Sequence, residues 1–407
     1  MKVLLLTQWY PPEPFKLMSD LASTLQLLGN NVQVLTGFPN YPSGKVYPGY
    51  KISAWQRETY EEIPVVRVAL YPDHSLSRPR RILNYVSFAF TSSLFGPFLV
   101  QKPDVIFVYN LYSVFSAWLL SVFRQSRLVL NVQDMWPETL VATGMIHNRL
   151  LLSVIGWLAG VVYRLADAIV VISEGFRDNL ISKGVPASKI HVIPNWVDSE
   201  HYKPVEPDPS LAKSLGLAGR FNVMYAGQIG RAQGLDTLLR AAELLKDDPL
   251  IQFVLVGDGV ERASLQAATA ERNLNNIRFL GRYPEQDMPG ILSLSDVLLV
   301  HLHDTPLFRI TIPHKIVAYM AVGKPILAAV CGDAANLISN AGAGITCAPD
   351  NPAAMADGVR RFRLMTSQQR QKMGVSGRLA ACEQYSMHQQ VRKLDQLFRA
   401  LDSTVTH

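Results

Sequence analysis

Short apolar runs alternate with helical stretches along this chain, and they do so twice. Residues 3–7, 32–36, 105–108, 128–132 and 169–172 of the first half read as buried strands, with a helical stretch over 20–28 between the first two. The second half repeats the pattern: strand-like runs at 222–225, 252–256, 278–280, 297–301 and 325–329, and a helical stretch at 237–245. Strands that are apolar on both faces and separated by helices predict parallel sheets covered by helices on each side. A chain of 407 residues exceeds what one core usually supports, so the repeat predicts two doubly wound α/β domains. Residues 192–198 and the proline- and acid-rich stretch 203–209 supply the linker. The expected division is an N-terminal domain over 1–203, a C-terminal domain over 204–385 and a final helix over 386–407. Val391, Leu394, Leu397, Phe398 and Leu401 give that helix an apolar face.

Ligands of open parallel sheets bind beyond the carboxyl ends of the strands. Four such loops in the second half carry candidate chemistry. Gly227, Gln228, Arg231 and Gln233 lie in a glycine-rich turn between strand and helix, where backbone N–H groups and the guanidinium suit a phosphate. Gly257 ends the next strand in Gly257-Asp258-Gly259. Phe279 and Arg282 flank the third strand end, a place for a base to stack and hydrogen-bond. The fourth unit runs from Thr311 to Pro325: a proline at the helix start, His314 and Lys315 in the first turn, and Gly323 closing it. A lysine in a first helical turn opposes the helix dipole, so an anion is expected there. Arg309 stands just upstream. In the first half, Asp134 follows the strand 128–132 and by strand-end logic points into the cleft with Trp136 and Glu138.

Three cysteines without metal spacing point to a reducing compartment and away from a structural zinc. Residues 82–100 are nearly uncharged and follow Arg78, Arg80 and Arg81. Between 63 and 132 seven basic residues face two acidic ones, +5 of the chain's formal +6. That combination suits an element lying on an anionic membrane surface, with Phe88 and Phe95 in its apolar part. A buried helix with snorkelling arginines gives the same pattern. Nucleic acid is not indicated, because no recognition motif accompanies the charges.

Residues 172–176, 192–198, Tyr225-Ala226-Gly227, 256–259, Phe279-Leu280-Gly281 and the 313–325 unit together resemble glycosyltransferase family 4, retaining enzymes of the GT-B fold. The resemblance spans nearly the whole chain. It implies a nucleoside-diphosphate sugar donor, usually no metal, and transfer with retention, so protein cations must stabilise the leaving diphosphate. Arg231 and Lys315 are the candidates, and Asp134 is the group expected to activate an acceptor hydroxyl. The remaining residues of the four loops are expected to bind the donor, and Tyr41, Trp136 and Glu138 the acceptor. Residues 37–45 and 134–138 are similar to loops of bacterial cell-surface polysaccharide transferases of the N-acetyl-L-fucosamine type. This implies a UDP-sugar donor, an undecaprenyl-diphosphate-linked saccharide acceptor, and a peripheral position on the cytoplasmic face of the inner membrane.

The chain also departs from the family. Gln228 and Gln233 stand where arginine and lysine are usual, and Ile310 and Ala318 where a pair of glutamates is usual. Tyr10, Pro11, Pro12 and Glu13 replace the glycines of the first strand-end loop. A non-catalytic binding subunit and a UDP-sugar 2-epimerase on the same fold are the alternative readings. A nicotinamide dehydrogenase lacks its G-x-G-x-x-G signature here.

Overall fold

A computed structural model describes residues 1–75, 77–142 and 148–403. Its first sheet contains β1 (Lys2–Leu6), β2 (Asn31–Gly37), β3 (Trp55–Tyr60), β4 (Ile63–Val68), β5 (Val105–Val108), β6 (Arg127–Val132), β7 (Ala168–Val171) and β8 (Ile190–Val192), ordered β3-β4-β2-β1-β5-β6-β7-β8. Only the β3–β4 pair is antiparallel. The second sheet contains β9 (Phe221–Ala226), β10 (Ile251–Val256), β11 (Ile277–Gly281), β12 (Val297–His301), β13 (Ile326–Ala329) and β14 (Gly344–Cys347). It is wholly parallel in the order β11-β10-β9-β12-β13-β14.

The period-two alternation of strand side chains explains why the central strands carry apolar residues on both faces. In β1, Leu4 and Leu6 enter one core and Val3 and Leu5 the other. Likewise in β9, Met224 and Ala226 face one side while Val223 and Tyr225 face the opposite one. Each sheet is therefore sandwiched between helices, as the pattern predicts. The β3–β4 hairpin is not foreseen. Its two turn residues, Glu61 and Glu62, have φ of 47° and 66°, left-handed values usually signalled by asparagine or glycine.

The last helix, Met387–Ser403, returns to the first sheet. Val391, Leu394, Leu397 and Phe398 join the core beside β1 and β5, and Asn30 Nδ2 donates to Asp395 Oδ1 at 2.7 Å. The two halves meet through the ends of their strands. Ser173 Oγ donates to the Ile310 carbonyl at 2.6 Å, and Gly175 N–H donates to Asp333 Oδ2 at 2.8 Å. His314 Nε2 lies 2.8 Å from the Trp196 carbonyl.

The segment 82–100 is part of one helix, Arg78–Leu99, long and apolar enough by composition to cross a membrane. It lies instead along the first sheet. Phe88, assigned to a membrane in the sequence reading, is fully buried, and Phe95 packs partly against the same core. The helix is apolar on every side, so spacing does not reveal which stripe faces the sheet. Arg80 and Arg81 occupy its first turn, and the side chain of Arg78 lies outside the described residues.

Candidate functional site

The end of β9 is built around glycines that allow three loops to touch. Gly227 N–H donates to the Val256 carbonyl at 2.9 Å and Gly257 N–H to the Gly281 carbonyl at 2.7 Å. Gly227 and Gly257 have φ of 136° and 131°, and a Cβ on Gly257 would lie 1.9 Å from the Gly227 carbonyl oxygen. Gly257 thus serves close approach of the loops.

Lys315 reaches this junction from the helix His314–Ala321, which has no side-chain cap and no acidic residue in its first turn. Its Nζ lies 3.7 Å from the centre of the Tyr225 ring, and a Cβ on Gly227 would sit 2.8 Å from it. The amine is sequestered from solvent without a hydrogen-bond partner. Burial pushes its pKa down to about 7, because desolvation disfavours the charged form. An unpaired buried ammonium is costly, so the folded surroundings favour the neutral amine. Tyr319, one turn on, locks the helix to the strand: its hydroxyl accepts from Ala226 N–H at 2.7 Å and donates to the Ala226 carbonyl at 2.8 Å.

The loop after Gly227 is held from within. Gln233 Oε1 accepts from Gly230 N–H at 3.1 Å, so the side chain assigned to a donor shapes its own turn. Tyr225 Oη donates to the Gln228 carbonyl at 2.5 Å, while the Gln228 side chain is exposed. Arg231 is exposed at the rim, 3.6 Å from Glu261, and does not join Lys315 in the buried junction. Buried His301 lies with Nδ1 2.7 Å from the Gln233 carbonyl and accepts from Asp350 N–H on Nε2, which makes Nδ1 the protonated nitrogen. Burial lowers its pKa and favours that neutral ring.

The other donor candidates divide. Phe279 packs partly into the core beside β10, and Arg282 is exposed after β11. Arg309 is already engaged by Asp304 through two hydrogen bonds of 2.7 and 2.9 Å. The Thr311 hydroxyl donates to the Leu307 carbonyl at 2.8 Å, and His314 is spent on Trp196.

Across the cleft, the loops after β1, β2, β4 and β5 gather an aromatic wall. Trp9 packs against Phe15 and Tyr41 with ring centres 5.9 and 5.3 Å apart; Phe15 meets Tyr109 at 5.2 Å, and His74 meets Tyr41 at 5.2 Å. Such faces suit the C–H surfaces of a sugar. Asp134 opens to the cleft but is surrounded by protein, and this desolvation raises its carboxyl above the ordinary range. Burial and, after it, the charge of Asp134 raise the Tyr109 hydroxyl. Glu138 is ion-paired with Lys183 at 2.6 Å. Trp136 packs partly against the core.

The Tyr41 loop is fixed by Glu13, a nearly fully buried carboxylate. Its Oε1 accepts from Asn40 and Tyr41 N–H at 2.8 and 2.7 Å, and its Oε2 from Tyr10 N–H at 3.0 Å. Burial outweighs those bonds and pushes its pKa up to about 7. The sequence alone does not single out Trp9, Phe15, Tyr109, His301 and Tyr319, because they come from three strand ends and one helix that are far apart along the chain. Among the described residues no group of histidine, cysteine, aspartate or glutamate is arranged to hold a metal.

Two family models match this chain: a glycosyl transferase 4-like domain over residues 17–196 and glycosyl transferases group 1 over 220–363. The putative colanic acid biosynthesis glycosyl transferase WcaI of Escherichia coli (strain K12) is 29% identical over 392 residues, 90% of this chain and 93% of its own length. The probable glycosyltransferase WbjE of Pseudomonas aeruginosa is 29% identical over 232 residues, 56% of this chain and 58% of its own. Among solved structures, HepE of Anabaena in complex with UDP superposes with a TM-score of 0.73 at 18% identity, covering 98% of this chain and 100% of that one.

Proposed function

The chain belongs to glycosyltransferase family 4, and from that premise we propose that it transfers a sugar, with retention, from a UDP-sugar to a lipid-linked saccharide during surface polysaccharide assembly. The observation that carries the donor half is Lys315, a sequestered ammonium without a partner beside Gly227. It answers the diphosphate charge that grows as the anomeric C–O bond breaks. The backbone of the 227–234 loop lies alongside, and Arg231 is close enough in sequence to swing inward from the rim. The UDP complex of HepE supports a uridine nucleotide as the leaving group, and WcaI supports a polysaccharide product. This reading uses no metal, since the positive charge is the protein's own.

On the acceptor side, Asp134 takes the proton of the attacking hydroxyl while the new bond forms at the anomeric carbon. Its raised pKa suits a general base. Trp9, Tyr41 and Tyr109 hold the acceptor sugar against their rings. The resemblance of the 37–45 loop to those of N-acetyl-L-fucosamine-type transferases supports an N-acetylated deoxyhexosamine such as N-acetyl-L-fucosamine as the sugar moved, and a lipid-linked acceptor fits work at the cytoplasmic face of the inner membrane.

The test offers a panel of UDP- and GDP-sugars, including UDP-N-acetyl-L-fucosamine, with detergent-solubilised lipid-linked acceptor, and follows nucleoside diphosphate release. Release from one UDP-sugar that depends on acceptor and is lost in Lys315→Ala and Asp134→Asn is the expected result. Intact UDP binding without turnover on any donor would leave the binding-subunit reading. A 2-epimerised sugar formed without acceptor would select the epimerase.

A further inference from the structure

The helix Arg78–Leu99 carries two interleaved stripes at four-residue spacing. Asn84, Phe88, Ser92 and Gly96 are buried against the sheet, whereas Ile82, Val86, Phe90, Leu94 and Phe98 are exposed, Phe90 by 66% and Phe98 by 72%. The buried stripe is stitched in place: Asn84 Nδ2 donates to the Tyr71 carbonyl and Gln8 Nε2 to Asn84 Oδ1. A helix so held does not leave the sheet to cross a bilayer. Its outer stripe, however, does not end with it.

Phe98 meets Phe123 of the helix Val114–Arg124 with ring centres 5.8 Å apart. That helix exposes Phe115, Val122 and Phe123, and packs in turn against Arg149–Leu165, which exposes Leu150, Val154 and Trp157, the last by 66%. Three neighbouring helices of one domain thus share an apolar, aromatic exterior far beyond the scattered apolar residues of an ordinary surface. Their only charges are Arg78, Arg80, Arg81, Arg124, Arg149 and Arg164, with no aspartate, glutamate or lysine among them. A second copy docking through this face would set arginines against arginines, since a two-fold interface is self-complementary. An anionic bilayer offers acyl chains to the aromatics and phosphates to the arginines.

We propose that the exposed faces of these three helices form one platform on which the enzyme lies against an anionic phospholipid surface, Trp157 and Phe98 inserted between headgroups. This rests on the lipid-linked acceptor reading above and adds the surface that meets the lipid, including the helices at 114–124 and 149–165. The platform belongs to the domain that carries Asp134, so docking would hold the acceptor side of the cleft at the membrane.

Sedimentation of the full chain with vesicles of phosphatidylethanolamine and phosphatidylglycerol tests it, alongside phosphatidylcholine vesicles, Trp157 fluorescence and UDP binding by calorimetry. Wild type should bind the anionic vesicles, weaken with salt and ignore the neutral ones. Phe90→Ser/Phe98→Ser/Trp157→Ser should lower the partition coefficient by about tenfold or more, and Arg80→Gln/Arg149→Gln should weaken binding and its salt dependence while keeping UDP affinity. No binding by a wild type that binds UDP overturns the platform, as does binding that the triple variant leaves unchanged. A wild-type dimer dissociated by the triple substitution, without vesicle binding, overturns it in favour of self-association. Vesicle binding without UDP binding leaves the platform standing and sinks the donor reading alone.

Discussion

Raising the pH should weaken UDP binding, and Lys315 should be the reason. In the empty protein burial brings its amine from an ordinary 10.5 to about 7, a gap of about 3.5 pH units, or about 5 kcal/mol at ~1.4 kcal/mol per unit. A diphosphate beside Nζ favours the ammonium and returns the pKa toward its ordinary value. Above pH 7 binding must therefore take up a proton, and affinity should fall by about tenfold per pH unit between roughly 7.5 and 9.5. Calorimetry in buffers of different ionisation enthalpy measures both the affinity and the protons taken up. Lys315→Met, which keeps the stem, should bind UDP about 10- to 100-fold more weakly at pH 7, the worth of a charge-assisted hydrogen bond, and should show no proton uptake. The stability of the empty protein carries the matching sign. The unfolded chain holds this proton up to 10.5 and the fold only to about 7, so wild-type stability gains from rising pH in that window, and the methionine variant lacks the gain. A UDP affinity that is flat with pH, or proton uptake that survives Lys315→Met, would refute the assignment.

Glu13 carries the opposite dependence. Its folded pKa of about 7 lies above the ordinary 4.5, so the fold holds the proton more tightly and wild-type stability declines as pH rises from 4.5 through 7; denaturant titrations of Glu13→Gln should lack that slope. Tyr319→Phe removes both bonds to Ala226 and leaves buried backbone groups unpaired, a loss of about 2–3 kcal/mol in urea unfolding. Gly257→Ala drives a methyl to 1.9 Å from the Gly227 carbonyl at a φ of 131°, and should cost about 3 kcal/mol or more, read as a fall in Tm together with weakened UDP binding.

What could be read from sequence follows from how locally each feature is encoded. The two sheets were legible because strands covered on both faces are apolar on both, as β5 and β13 are at every position. Lys315 was legible because its helix is bounded within one short segment by Pro313 and Gly323. The aromatic wall was not, since Trp9, Tyr41, His74 and Tyr109 come from separate strand ends and meet only when the sheet forms. Phe88 was assigned outward for a related reason: on a helix apolar all round, the sheet alone decides which stripe is covered. Glu13 looked like a departure from the family's glycines, and its use became visible only with the three N–H groups it accepts from.

The two missing glutamates and the unpaired lysine belong to one arrangement. A helix sets residues three apart side by side, so a glutamate in place of Ala318 would stand next to Lys315 and offer its amine a partner. With alanine there, that helix position offers no carboxylate, and in the function proposed above the buried charge answers the diphosphate. Ile310 fills the other position with a contact between the halves: a Cβ on Gly175 would lie 2.5 Å from its Cγ2, and its carbonyl accepts from Ser173. Of the two positions that elsewhere in the family hold acidic groups, one here lies one turn from Lys315 and the other joins the two halves. In the function proposed above, electrostatics therefore favours a donor held through its phosphates by one desolvated cation, with the aromatic rings of Trp9 and Tyr109 left to the acceptor.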